Sequence, residues 1–139
     1  MPGFEVKHER DIKKTLKDQV TFVSRTPSEL TVKVKTTEQS PYKGREFTVK
    51  IKGDSFPLTA PTVRIASTIF HPAIEPETGK TCLIITTNWN AKNTIIDVLR
   101  EVYQVLSNPD PAMSNNTEAQ TLISTDREAF NKRAFETTD

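Results

Sequence analysis

Cysteine occurs once in the 139 residues, at Cys82. A lone thiol forms no internal disulfide and cannot by itself build a zinc site. No apolar run approaches the ~18–20 residues of a membrane span. The opening Met1-Pro2-Gly3-Phe4-Glu5 lacks the positive-then-apolar pattern of a signal peptide. Charge of one sign is missing too: 19 Lys and Arg against 18 Asp and Glu leave a net +1, without the strongly basic balance of a dedicated nucleic-acid binder. With four glycines, few positions reach positive φ easily, so turns must rest on nine prolines and on Asn and Asp. Internal repeats, low-complexity tracts and Gly/Ser linkers are absent. What remains is one soluble intracellular domain with a free thiol, suited to cytoplasm or nucleus. A hydrophobic content of 35% is enough for one core.

Phe4, His8, Ile12, Leu16 and Val20 recur every four residues and line one face, which predicts a helix from Phe4 to about Asp18. Lys7, Arg10, Lys14 and Lys17 make a second, basic stripe. It is either a solvated face or a docking ridge for an acidic partner. Leu30-Val32-Val34, Phe47-Val49-Ile51 and Val63-Ile65 then alternate with polar residues, each reading as a strand with one buried face. Val20 to Ser24 is a weaker first strand. The connections are too short for crossover helices, so a four-stranded antiparallel meander is expected.

From Ser67 to Asn93 periodicity fades, although Ile69, Phe70, Ile74, Leu83, Ile84, Ile85 and Trp89 fall there. An irregular stretch of this length is uncommon unless functional, so chemistry is expected in it. A helix resumes near Thr94, capped by Thr94 to Asp97, with an apolar face of Ile95, Val98, Leu99, Val102, Val105 and Leu106. Asn108-Pro109-Asp110-Pro111 stops it, and shorter helices follow around 118–123 and 126–135. Helix, strands, then helices make an α+β architecture.

Cys82 is the one strong nucleophile in the irregular segment. On residues alone, a buried small hydrophobe and a reactive thiol are equally open. Lys80 is the nearest cation, and nothing nearby demands a strongly depressed thiol pKa. A Cys-His hydrolase needs a histidine within hydrogen-bond reach of the thiol. His8 lies on the apolar stripe, where a packed imidazole is expected, and His71 stands eleven residues before Cys82, which disfavours that chemistry. Paired carboxylates, a phosphate-cradling glycine loop and a metal-ligand cluster do not occur as motifs.

Several of these segments together resemble the ubiquitin-conjugating enzyme family. Pro41-Tyr42-Lys43-Gly44-Arg45-Glu46-Phe47 is similar to its Pro-Tyr-x-Gly-Gly-x-Phe hairpin, and Phe56-Pro57-Leu58-Thr59-Ala60-Pro61-Thr62-Val63 to its Tyr-Pro-x-x-Pro-Pro-x-Val. His71-Pro72-Ala73 stands against the family's His-Pro-Asn, and Cys82 in Gly79-Lys80-Thr81-Cys82-Leu83 against its catalytic cysteine. Trp89 with Thr94-Ile95, then Asn108-Pro109-Asp110-Pro111 and the 125–131 segment, complete the match over about residues 40 to 135. The resemblance implies one catalytic core domain spanning 1–139, its last helix truncated.

It further implies that Cys82 accepts ubiquitin, or a ubiquitin-like protein such as NEDD8, as a thioester from an activating enzyme. The modifier then passes to a substrate lysine, usually with a ligase. ATP is used by the activating enzyme, so neither a bound cofactor nor a metal is expected. Lys7, Arg10, Lys14 and Lys17 fall where the family docks its activating enzyme, and Leu58, Ala91 and Lys92 on its ligase-facing loops. His71, Pro72, Ala73 and Trp89 belong to the active-site loops, and Ser114 is a candidate gate. A monomer is expected, with no nucleic acid and no membrane as partner.

The sequence departs from the pattern in places. Ala73 replaces an asparagine that supports the active-site loop or the oxyanion, and losing one oxyanion donor typically costs ~10²–10³ in rate. Asn88, Asn90 and Asn93 are near enough in sequence to be candidates for a replacement amide. Ile84 stands where many relatives carry an acidic residue, and Met113-Ser114 where a gating Asp or Ser is usual. The His71–Cys82 interval is one residue longer than usual and Cys82–Trp89 one shorter. Retention of Cys82 favours an active conjugating enzyme. Ala73 and Ile84 favour the alternative, a catalytically impaired variant acting as a ubiquitin-binding or scaffold module.

Overall fold

The computed structural model describes residues 3–53, 55–81 and 83–137, so Cys82 lies outside the described residues. The chain runs α1 (Val6–Thr15), β1 (Val20–Arg25), β2 (Glu29–Lys35), β3 (Glu46–Lys52), β4 (Thr62–Ile65), β5 (Lys80–Thr81), α2 (Ile84–Thr87), α3 (Ile95–Ser107), α4 (Thr117–Thr125) and α5 (Arg127–Glu136). The strands form one sheet in the order β1-β2-β3-β4-β5, every neighbouring pair antiparallel. This is the expected α+β meander with one strand more than the sequence predicts. The addition, β5, pairs Thr81 with Val63 and Lys80 with Arg64. Two residues are too few to leave a period-two signature. No described helix is long and apolar enough to cross a membrane.

Register follows from alternation. Leu30 faces Ile51, and Ile51 faces Val63, while Val32 lies between Phe22 and Val49. Leu30, Val32, Val34, Phe47, Val49, Ile51, Val63 and Ile65 are all buried, and a slip by one residue would turn this whole set to water. Helix α3 lays Ile95, Val98, Leu99, Val102 and Leu106 into the same core. Its start is the predicted capping box. The Asp97 amide donates to the Thr94 hydroxyl oxygen at 3.2 Å, and the Thr94 amide donates to the Asp97 carboxylate at 3.0 Å.

Helix α1 is shorter than predicted. The stripe Phe4, His8, Ile12, Leu16 and Val20 is buried throughout, but the helix ends at Thr15 and Val20 opens β1. The four-residue spacing survives because a single turn follows, in which the Val20 amide donates to the Leu16 carbonyl at 2.8 Å. The 67–93 segment is also less irregular than predicted, since it contains β5 and the four-residue α2.

Gly79 places β5. It sits at φ +77°, and an added Cβ would collide with the Ile65 carbonyl oxygen. Close backbone approach lets the Ile65 amide donate to the Gly79 carbonyl at 2.7 Å. A side chain here faces both the left-handed penalty and the collision, so Gly79→Ala should destabilise by about 2 kcal/mol or more. Thermal melting should show a midpoint roughly 5–8 °C lower, and an unchanged melt would refute this account.

Candidate active site

The chain entering and leaving position 82 is held on both sides. Thr81 is buried and paired with Val63, and Leu83 is buried. Helix α2 then begins, and its first two amides find one acceptor residue. The Ile84 amide donates to one carboxylate oxygen of Glu101 at 2.6 Å, and the Ile85 amide to the other at 3.0 Å. The Thr86 and Thr87 hydroxyls both donate to the Leu83 carbonyl at 3.0 Å. Ile84 itself is 75% exposed, an apolar side chain at the surface beside the site.

The neighbouring loop is built on His71, which is 0% exposed. The Ala73 amide donates to His71 Nδ1 at 2.9 Å, and Nε2 lies 2.7 Å from the Val105 carbonyl. A carbonyl only accepts, so the proton sits on Nε2 and the ring is neutral. Burial pushes its pKa down to about 4, partly offset by the Val105 contact. With both nitrogens engaged, the ring serves as a structural pin and no general base. The ring of Tyr42 stacks on it at 5.8 Å, and the Tyr42 hydroxyl donates to the Phe70 carbonyl at 2.6 Å. Ala73 is 7% exposed and presents a methyl group where the resemblance asks for an amide.

Two contacts gather the remaining loops. The Glu75 amide donates to the Lys80 carbonyl at 3.0 Å, joining the His71 loop to β5, and the Asn116 amide donates to the Pro72 carbonyl at 3.0 Å. The second brings the 110–116 loop beside Pro72. There Met113 packs against the core and Ser114 is exposed. The Asn90 side-chain oxygen accepts from the Lys92 amide at 2.9 Å.

Trp89 links the loop carrying Leu58 to the loop carrying Ala91 and Lys92. Its indole donates to the Pro57 carbonyl at 2.9 Å, and its ring lies 5.7 Å from Phe56. Leu58, 66% exposed, is thereby tied to the loop bearing exposed Ala91 and Lys92. Phe56 also stacks on Phe4 at 5.0 Å and meets His8 at 5.4 Å. His8 is the packed imidazole the sequence predicts: its Nδ1 accepts from the Glu5 amide at 2.8 Å, and burial lowers its pKa. Lys7, Arg10, Lys14 and Lys17 are all exposed on or just beyond α1. Lys7 lies 3.7 Å from Glu5, and among the described residues the other three make no ion pair. No described group of three or more His, Asp or Glu is placed to hold a metal. Sequence reading missed Glu101, Asn116 and the Phe56 stack, because none carries a local signal of its long-range partner.

Comparison with known proteins agrees with this geometry. The model of the ubiquitin-conjugating enzyme family matches residues 5–138. A Dictyostelium discoideum ubiquitin conjugating enzyme E2 B is 33% identical over 102 residues, covering 73% of this chain and 69% of that protein. Arabidopsis thaliana PEROXIN-4 is 32% identical over 107 residues, covering 75% and 68%. In structure, the E2 domain of a Toxoplasma gondii ubiquitin conjugating enzyme superposes with a TM-score of 0.81 at 21% identity, covering 94% of each chain. The chain belongs to the ubiquitin-conjugating enzyme family. It is thus an acyl transferase acting through a cysteine thioester, with ubiquitin, an activating enzyme and ligases as its general classes of partner.

The depressed His71 pKa has a consequence for stability. Between pH ~6.5 and ~4 the unfolded ring binds a proton that the folded ring refuses. The stabilisation is complete above about pH 6.5, is lost as pH falls toward 4, and amounts to about 3 kcal/mol. His8 shifts in the same direction. Urea midpoints of the parent should fall over this window, and His71→Asn, weaker at pH 7.5, should fall less. Parallel pH profiles would contradict the assignment.

Proposed function

We propose that Cys82 carries the thioester. The observation supporting this is that the family works through a cysteine and this chain has one. In loading, the Cys82 sulfur attacks the modifier's terminal carbonyl, the bond to the activating enzyme's sulfur breaks, and the thiol proton leaves with that departing sulfur. In discharge, a substrate lysine amine forms the new C–N bond, the S–C bond breaks, and the amine proton returns to Cys82. Ubiquitin is the modifier of choice on family grounds, and another ubiquitin-like protein is an outcome of the test. No cofactor takes part on Cys82 itself, and ATP is consumed by the activating enzyme. Ser114 gates the site in this reading, and Lys7, Arg10, Lys14 and Lys17 receive the activating enzyme. Leu58, Ala91 and Lys92 meet the ligase.

The buried methyl of Ala73 and the exposed Ile84 favour loading over rapid lysine transfer, and carry a second reading in which the chain binds ubiquitin without turnover. A charging assay with activating enzyme, ATP and either ubiquitin or other modifiers separates the two. A reductant-sensitive adduct of one modifier is expected, absent in Cys82→Ala and reductant-resistant in Cys82→Ser. No adduct across the panel, beside a working family member, would favour the binding module. Reversing Arg10 and Lys14 to Glu should slow loading about tenfold at low salt and less at high salt. Discharge of protein already charged should be unaffected, and equal loading rates would remove α1 from the docking surface.

A further inference from the structure

The two Glu101 contacts are not explained by helix packing. Glu101 lies on α3, seventeen residues from Ile84 in sequence, yet its two oxygens take the first two free amides of α2. A helix start leaves such donors unpaired, and α2 has no side-chain cap from its own N-cap residue, Leu83. Two peptide bonds separate position 82 from Ile84, so covalent geometry alone keeps their Cα atoms within ~7.6 Å. We infer that Glu101 is a positioning residue for the transfer reaction. It fixes the backbone that follows position 82, occupies the first two amide donors of α2, and adds a carboxylate to the turn two residues on from the nucleophile. This rests on Cys82 being the nucleophile.

Other charges do not duplicate this arrangement. Helix α2 consists of Ile84, Ile85, Thr86 and Thr87 and has no ionisable side chain. The chain at and just beyond the end of α1 presents Thr15, Leu16 and Gln19 beside α3, and the β2 residues on the core side are Leu30, Val32 and Val34. On α3, Asp97 is engaged by the Thr94 amide and Arg100 is exposed. Lys80 on β5 is exposed. Among the described residues no cation pairs with Glu101. Its charge therefore acts on the sulfur in one direction: it opposes thiolate formation, and it attracts the ammonium of an incoming lysine at a place where Ile84 supplies no carboxylate. Glu101 does not need to touch the reacting atoms for either effect.

The sole cysteine makes the test direct, because the rate of iodoacetamide alkylation against pH reads that thiol alone. Glu101→Gln keeps the side-chain shape and one acceptor oxygen but removes the charge. Its alkylation midpoint should fall by about half a pH unit relative to the parent, and Glu101→Ala, which also frees both amides, should fall at least as far. Discharge of thioester-linked ubiquitin to free lysine should slow on the order of tenfold in both. Glu128→Gln, a distant exposed carboxylate on α5, should shift neither quantity, and circular dichroism verifies that each variant is folded. An unchanged alkylation midpoint in folded Glu101→Gln overturns the inference even if discharge slows, since a purely structural defect would do that. The nucleophile assignment is scored separately: alkylated parent that still forms a reductant-sensitive ubiquitin adduct would refute Cys82 and leave the Glu101 midpoint standing as a fact about the thiol.

Discussion

A neutral, fully buried histidine holds three parts of this protein together. Pro109 has no amide hydrogen, so the Val105 carbonyl, four residues earlier in the last turns of α3, lacks its usual helical partner. His71 Nε2–H takes that carbonyl, while Nδ1 accepts from the Ala73 amide. Tyr42, from the hairpin between β2 and β3, stacks on the ring and ties its own hydroxyl to the Phe70 carbonyl. The proline that ends α3 thus creates the acceptor that the active-site loop needs. A carbonyl left unpaired here costs about 1–3 kcal/mol, so stopping the helix and seating the loop are a single energetic event. The same pairing removes His71 from acid–base work, since a ring with one donor and one acceptor already spent has nothing left for a thiol.

A second set of contacts organises the outer surface. Phe56 sits between Phe4 and His8 near α1 and Trp89 on the far loop, and Trp89 returns to the Pro57 carbonyl. The basic face of α1 and the loops carrying Leu58, Ala91 and Lys92 are therefore mounted on one aromatic cluster. Under the proposed docking roles these two surfaces gain a fixed relative geometry this way, because close-packed rings leave little room for independent loop motion.

Long, periodic elements were legible in the sequence, and short or long-range ones were not. β2 and β3 each carry seven residues of alternation with one dry face, and α3 announces itself through a cap and an apolar stripe. The buried set of the first segment was right while its helix end was wrong, because burial at Leu16 and Val20 constrains where side chains go and not how the backbone brings them there. β5 and α2 have two and four residues, below the length at which any period can be counted. Ile84 falls in the apolar-rich 67–93 stretch, yet a side chain at the start of a one-turn surface helix has no core to face. Of the candidate site, His71, Trp89 and Ser114 were named through the family resemblance, while the hydrogen bonds that seat their loops carry no local signal. The Glu101 carboxylate was not named, since a glutamate on the exposed side of an amphipathic helix looks like any solvated residue until its partner from another element is known.

What the site lacks bears on how it can work. Lys80 is the nearest cation in sequence to Cys82, and the α2 amides that could stabilise a thiolate are spent on Glu101. In the proposed function Cys82 must both capture an acyl unit and release it, and lowering a thiol's pKa raises its thiolate fraction and its leaving ability while reducing its nucleophilicity. In that reading the buried methyl of Ala73, where the family carries an asparagine, supplies no amide to the transfer step. On the proposed function such a carrier holds its thioester until a ligase closes around it, and the aromatic cluster that mounts Leu58, Ala91 and Lys92 then matters to turnover as much as the chemistry at the sulfur.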